Sequence, residues 1–310
     1  MNTLRALTLN AYGGPDTTTV TTRPVPTPGQ AQVRVRVRAA GLNGLDWKLR
    51  EGLVRDAFPI PLPTVLGLEL AGVVDAVGPG ASRFSPGDRV MGPMGGLGAY
   101  ADLIVIDEAH LAPIPDGLDD LTAAAMPVAA LAAWQSLHMA GPVLPGQRVL
   151  VHGAAGGLGA FAVQFAKQAG AHVIATASGA DADAVRQLGA DQVIDYQTQR
   201  FDALVSHIDL VLDYVGGEVL DRSWRVLSAQ GVVVGTSSPA ILSRTPSGLR
   251  GLWFVMKPDG ALLAHLAKRV AAGALQARVG EVVAFQDLPA AIERHRLGQV
   301  RGKAVVDFSA

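Results

Sequence analysis

The 310-residue chain has no cysteine. That excludes disulfides, thiol nucleophiles, thiolate-bound zinc and cysteine-ligated iron–sulfur clusters. It also lacks a charge imbalance. Its 26 basic and 27 acidic residues leave a net charge of −1, so composition points to no nucleic-acid or anionic-membrane partner. No apolar run reaches the length of a membrane span, and the nearest, Leu121 to Trp134, is broken by Pro127. Met1 to Ala6 lacks the basic-then-apolar pattern of an export leader, so a cytoplasmic location is expected. What is present in quantity is apolar: 49% hydrophobic against 17% charged residues, enough for a sizeable core in one large domain or two.

The most informative stretch runs from Val149 to Ala175. Val149-Leu150-Val151-His152 reads as a strand and enters the turn Gly153-Ala154-Ala155-Gly156-Gly157-Leu158-Gly159. A helical run, Ala160 to Ala169, follows, then Gly170 and a second strand from His172. Strand, glycine turn, helix and strand make a dinucleotide pyrophosphate site. Glycines let the backbone approach the phosphates, and the first helical turn offers N–H groups and a positive dipole end. The first glycine of the usual pattern is Ala154, and a tight turn in another α/β sheet is the alternative.

Residues 1 to about 120 read as mostly β, with Pro-Gly turns at Pro28-Gly29, Pro79-Gly80 and Pro86-Gly87, and suggest a small barrel. In Gln32 to Ala39 valines alternate with Arg34, Arg36 and Arg38, which face water or a phosphate. From 149 to about 240 strands and helices alternate, with strands expected at 149–152, 172–177, 192–195, 209–214 and 231–236. That rhythm predicts a parallel, doubly wound sheet. A helix near Leu288 to Arg296 and a strand from Lys303 to Phe308 close the chain.

Taken in order, several segments resemble the medium-chain dehydrogenase/reductase superfamily, in its zinc-free NADPH:quinone oxidoreductase branch. They are Ala40 to Gly52, Pro63 to Gly72, Gly87-Asp88-Arg89-Val90, Ala154 to Gly159, Leu188-Gly189-Ala190-Asp191, Asp195-Tyr196 and Gly302-Lys303. The resemblance implies an α/β fold. A GroES-like β-barrel domain is expected over 1–122 and 275–310, and a Rossmann doubly wound parallel sheet domain over 123–274, with the active cleft between them. It also implies a homodimer.

In zinc-dependent relatives a cysteine and a histidine hold the metal; here Asn43 and Leu68 stand at those positions, and leucine has no lone pair to give. His152 reads as a strand-end residue rather than a ligand, and no metal is expected. Without a Lewis acid, reduction of an already polarised quinone or α,β-unsaturated carbonyl is favoured over oxidation of an unactivated alcohol. The resemblance gives Asn43 as the polar group facing the nicotinamide or the substrate oxygen. Asp46 either flanks that pocket or caps the next helical turn, and Trp47 either flanks it or belongs to the core.

The second strand ends Ala177-Ser178-Gly179 without the acidic residue of an NAD site, which favours NADPH over NADH. Ser178, Tyr196 and Lys303 are candidates for the 2′-phosphate, with Lys303 alternatively at the nicotinamide end. Asp181 stands near where the family carries a basic residue; it points to solvent or weakens the NADPH preference. Gly156, Gly157, Leu158 and Gly159 hold the pyrophosphate. Val215, Thr236 and Ser237 line the nucleotide from later strand ends, or sit in ordinary loops. Phe254 shapes the pocket or a dimer contact. The rival readings are an enoyl or alkenal double-bond reductase, and a non-catalytic, crystallin-like NADPH-binding protein.

Overall fold

The computed structural model describes residues 3–309. The strands of the first part are β1 (Thr3–Leu9), β2 (Thr18–Pro24), β3 (Gln32–Gly41), β4 (Thr64–Val65), β5 (Glu69–Val77), β6 (Arg89–Pro93), β7 (Leu103–Asp107) and β8 (Ala112–Pro113). There follow β9 (Arg148–His152), β10 (His172–Ala177), β11 (Gln192–Asp195), β12 (Ile208–Asp213), β13 (Leu227–Gly235) and β14 (Arg250–Trp253), then β15 (Val279–Ala284) and β16 (Lys303–Asp307). Contacts divide the chain into two units, Met1–Val128 with Lys257–Ala310, and Ala129–Met256. The family resemblance implies boundaries at 122 and 275. The helix Gly260–Ala271 packs on β8, which draws it into the first unit.

In the first unit, one sheet has the order β2-β1-β4 and a second has β15-β16-β3-β5-β6-β8, with β7 also on β3. The alternation read in β3 holds: Val33, Val35 and Val37 are at most 3% exposed. Arg34 and Arg36 emerge on the other face and meet Asp75 of β5 at 2.6 and 3.0 Å. The C-terminal strand β16 pairs antiparallel with β3, Val305 opposite Gly41. That pairing carries the end of the chain to the start of the helix Gly44–Arg50.

The second unit is a parallel six-stranded sheet of order β11-β10-β9-β12-β13-β14. Its strands are apolar on both faces, as burial under helices on each side demands; Leu150, Val211 and Val233 are wholly buried. The order reverses at β9, and ligands of such sheets bind beyond the carboxyl ends of the strands at that point. No helix of the described residues is long and apolar enough to cross a membrane.

Candidate functional site

The glycine turn lies at the carboxyl end of β9. Gly156 is the N-cap of the helix Gly157–Gln168, which starts three residues earlier than the sequence pattern suggests. The first intrahelical bond runs from Ala160 N–H to Gly156 O at 2.9 Å, so the N–H groups of Gly157, Leu158 and Gly159 precede it. They are the donors a helix start holds out to an anion. The turn is wound tightly enough that only glycine fits at 159. A Cβ there would stand 2.6 Å from Ala154 Cα and still closer to the Gly153 carbonyl. Backbone close to backbone, with N–H groups leading outward, fits a dinucleotide pyrophosphate.

The neighbouring strand ends carry the other nucleotide candidates. Ser178 follows β10, and its hydroxyl donates to Asp181 Oδ2 at 2.7 Å. Asp181 is buried, 6% exposed, rather than directed to solvent. Tyr196 follows β11 with its side chain 61% exposed. Asp213, at the end of β12, accepts the N–H groups of Val215 and Gly216 at 2.9 and 2.8 Å and so shapes that loop. Val215 is exposed, and Thr236 and Ser237 are half-buried at the end of β13. The Phe254 N–H bonds to Gly235 O beside β14.

His152 ends β9 inside the core. Ser223 gives its proton to Val219 O, so its oxygen accepts from His152 Nε2–H at 3.1 Å; Nδ1 then accepts from Thr176 at 3.0 Å. Burial, helped by the Arg222 charge, lowers this imidazole to about 3, which keeps it neutral. Both ring nitrogens are used inside the protein, so this histidine has no lone pair to offer a metal. Among the described residues no group of three or more His, Asp or Glu side chains is placed to hold a metal ion.

The first unit holds a second polar cluster, centred on Asn43. Its amide nitrogen donates to Glu69 Oε1 at 2.9 Å and to Gly41 O at 3.2 Å. Its Oδ1 accepts from Lys303 Nζ at 2.6 Å, and the same ammonium pairs with Glu69. Glu69 Oε2 also accepts the Val128 N–H at 2.7 Å. Glu69, Lys303 and Asn43 are 0%, 5% and 6% exposed. Both Asn43 amide protons are thus committed internally, and toward a ligand Asn43 can only accept. Lys303 has two protein acceptors for three protons, and the third has none among the described residues.

Asp46 caps the helix Gly44–Arg50 by accepting the Asn43 N–H at 2.7 Å, and its Oδ2 also takes the Tyr100 hydroxyl at 2.7 Å. It is fully buried, so its first role is local structure, while Trp47 packs half-buried against the core. Burial pushes the Asp46 carboxyl up to about 6, against the pull of Asn43, Tyr100 and Lys303. Burial and the Asp46 charge raise the Tyr100 phenol well above its usual value.

A carboxyl whose folded value exceeds its unfolded one favours the folded state at low pH. Its contribution is complete below about 4 and is lost as pH rises to about 6. An Asp46→Asn variant keeps the acceptor and cannot titrate. Between these pH values the wild type should lose up to about 3 kcal/mol relative to it, at about 1.4 kcal/mol per unit. Unfolding midpoints across the window measure this, and parallel profiles would refute it.

Sequence reasoning brought Asn43, Asp46 and Lys303 into view, with Lys303 at either the 2′-phosphate or the nicotinamide end; the structure places its ammonium against Asn43 and Glu69. Glu69 and Tyr100 were outside the candidate set. An acid set between leucines in the apolar run Gly67 to Val74 was the available signal for Glu69; nothing local marks Tyr100.

Residues 29–116 match the alcohol dehydrogenase GroES-like domain family, and residues 188–306 the family described as zinc-binding dehydrogenase. A quinone oxidoreductase of Pseudomonas aeruginosa is 39% identical over 232 residues, covering 72% of this chain and 70% of that protein. The solved quinone oxidoreductase from Coxiella burnetii superposes with a TM-score of 0.93, at 30% identity over 99% of each chain. The Escherichia coli quinone oxidoreductase, solved in complex with NADPH, gives 0.89 at 25% identity, covering 98% of this chain and 100% of that one. Part of erythronolide synthase EryA2 of Saccharopolyspora erythraea is 40% identical over 204 residues, though the chain spans only 6% of that protein's length.

Proposed function

Since this chain belongs to the medium-chain dehydrogenase/reductase superfamily, with quinone oxidoreductases among its relatives, and is an α/β protein with a GroES-like and a Rossmann domain, we propose that it reduces a quinone or an α,β-unsaturated carbonyl with NADPH and without zinc. The observation that carries the reading is the cradle at Gly156–Gly159, which supports dinucleotide binding by its own geometry.

A bound reduced nicotinamide supplies the hydride. The residues of the chain do the rest. Gly157, Leu158 and Gly159 hold the pyrophosphate by their N–H groups. Hydride arriving on carbon moves an electron pair onto the acceptor's oxygen. Within the first unit Glu69 and Asn43 keep the Lys303 ammonium in place with one proton unpaired, and in this proposal that proton is the donor to an acceptor's oxygen. One proton from solvent completes an enol product, and a quinone likewise takes one hydride and one proton overall to give the hydroquinone. Leu68 has no lone pair, and Asn43 Oδ1 and Glu69 Oε1 already receive the Lys303 ammonium, which supports chemistry without a metal. The same reading takes the protein as a cytoplasmic homodimer.

Consumption of NADPH by the purified protein with phenanthrenequinone and a panel of enones tests this. Turnover with quinones is expected; turnover with enones alone would move the assignment to a double-bond reductase. Tight NADPH binding without turnover on any of them would make the protein a nucleotide-binding relative and not an enzyme.

A further inference from the structure

Tyr214 follows β12, in the loop that Asp213 shapes. Its phenol meets the hydroxyl of Ser136, on the last turn of the helix Pro127–His138, at 2.9 Å. Ser136 is wholly buried and gives its own proton to Ala133 O at 3.2 Å, so Tyr214 is the donor of the pair. Burial raises the phenol above its ordinary value, and the proton stays on it. Ser136 and Tyr214 both belong to the second unit.

The main chain of Tyr214 lies against the glycine turn. A Cβ at Gly153 would stand 3.7 Å from Tyr214 Cβ and 3.3 Å from Val215 Cγ2. Gly153 is wound at φ +70°, and its carbonyl takes the Gly156 N–H at 3.1 Å and faces Gly159. Residue 214 is held twice. Asp213 Oδ1 fixes the main chain beyond it through the N–H groups of Val215 and Gly216, and Ser136 fixes the far end of its side chain. A side chain tied at its tip cannot slide along the turn it packs on. Resting on the dinucleotide reading above, we propose that Tyr214 is a positioning residue for the nucleotide. Its hydroxyl, anchored on Ser136, holds the loop after β12 as a wall against which the turn Gly153 to Gly159 keeps its winding. Tyr214 acts through Gly153 and not by touching the nucleotide.

Calorimetry and amide hydrogen exchange on the intact protein test this without recourse to turnover. Tyr214→Phe keeps the ring and deletes the hydroxyl. Ser136→Ala deletes the other end of the same bond and serves if the first variant does not fold. Each should weaken NADPH binding by about threefold to tenfold, the worth of one neutral hydrogen bond. The double variant should bind no more weakly than either single one, because both changes remove the same bond. With no nucleotide added, exchange of the Gly156 amide should quicken in each variant by a similar factor. Additive losses, or binding within about twofold of wild type in both single variants, overturn the proposal. Weakened binding with Gly156 exchange unchanged also overturns it, since Tyr214 would then contact the nucleotide itself. A wild type that binds no NADPH overturns the dinucleotide reading instead, and the exchange rates still decide whether the hydroxyl holds the turn.

Discussion

Glu69→Leu is expected to destabilise the unit that holds it by about 3–5 kcal/mol, the range for breaking one side of a buried ion pair. The wild-type carboxylate is wholly buried and accepts from three donors: the Lys303 ammonium, the Asn43 amide and the Val128 N–H. Leucine fills the space but satisfies none of them. Lys303, 5% exposed, would be left with only Asn43 as a polar contact. An exposed pair such as Asp183 with Arg186, 92% and 55% exposed, sets the comparison, and Asp183→Ala should change stability by less than about 1 kcal/mol. The double variant Glu69→Leu with Lys303→Met removes the orphaned charge along with its partner. It should recover much of the lost stability yet stay inactive, because the donor proposed for the substrate oxygen is gone. Denaturant unfolding of the four proteins separates these effects. A Glu69→Leu protein within about 1 kcal/mol of wild type would mean that the cluster does not hold this part of the fold together.

The contrast between what could and could not be read from the sequence follows interaction range. Expected strands at 149–152, 172–177 and 192–195 coincide with β9 to β11 to within one residue, because apolar runs bounded by turns are local signals. The helix Leu288–Arg296 was equally legible. The parallel sheet and the GroES-like fold followed from the rhythm of such elements and from motifs in series. By contrast, β13 starts at Leu227, ahead of the expected 231, because Ser228-Ala229-Gln230 has no apolar pattern. The Lys303–Asn43 contact joins residues separated by 260 positions, and only the pairing of β16 with β3 creates it. The direction of the Ser178 hydroxyl was hidden for another reason. Donation to Asp181 or to a ligand is equally compatible with a serine at a strand end, and only the placement of the next turn decides it.

Two glycines of one turn should behave in opposite ways. Gly159→Ala is expected to weaken dinucleotide binding at least about tenfold, and Gly156→Ala to change it by less than about threefold. At 159 the added methyl meets main chain, Gly153 O and Ala154 Cα, and main chain in a turn cannot rotate aside as a side chain can. The turn would have to open, drawing the N–H groups of Gly157, Leu158 and Gly159 off the phosphates. Each charge-assisted bond lost is worth about 1.5–3 kcal/mol, so even one accounts for the tenfold effect. At 156 the backbone is extended, with φ −76° and ψ 174°, and a methyl would lie 3.4 Å from Gly153 O, close to an ordinary contact. A glycine at 156 is therefore not what the turn requires, although its position in the motif is the more familiar. Titration of both variants with NADPH, beside their unfolding midpoints, decides the matter. Equal loss of binding in the two would show that flexibility, and not the close approach of helix to strand, is what the glycines contribute.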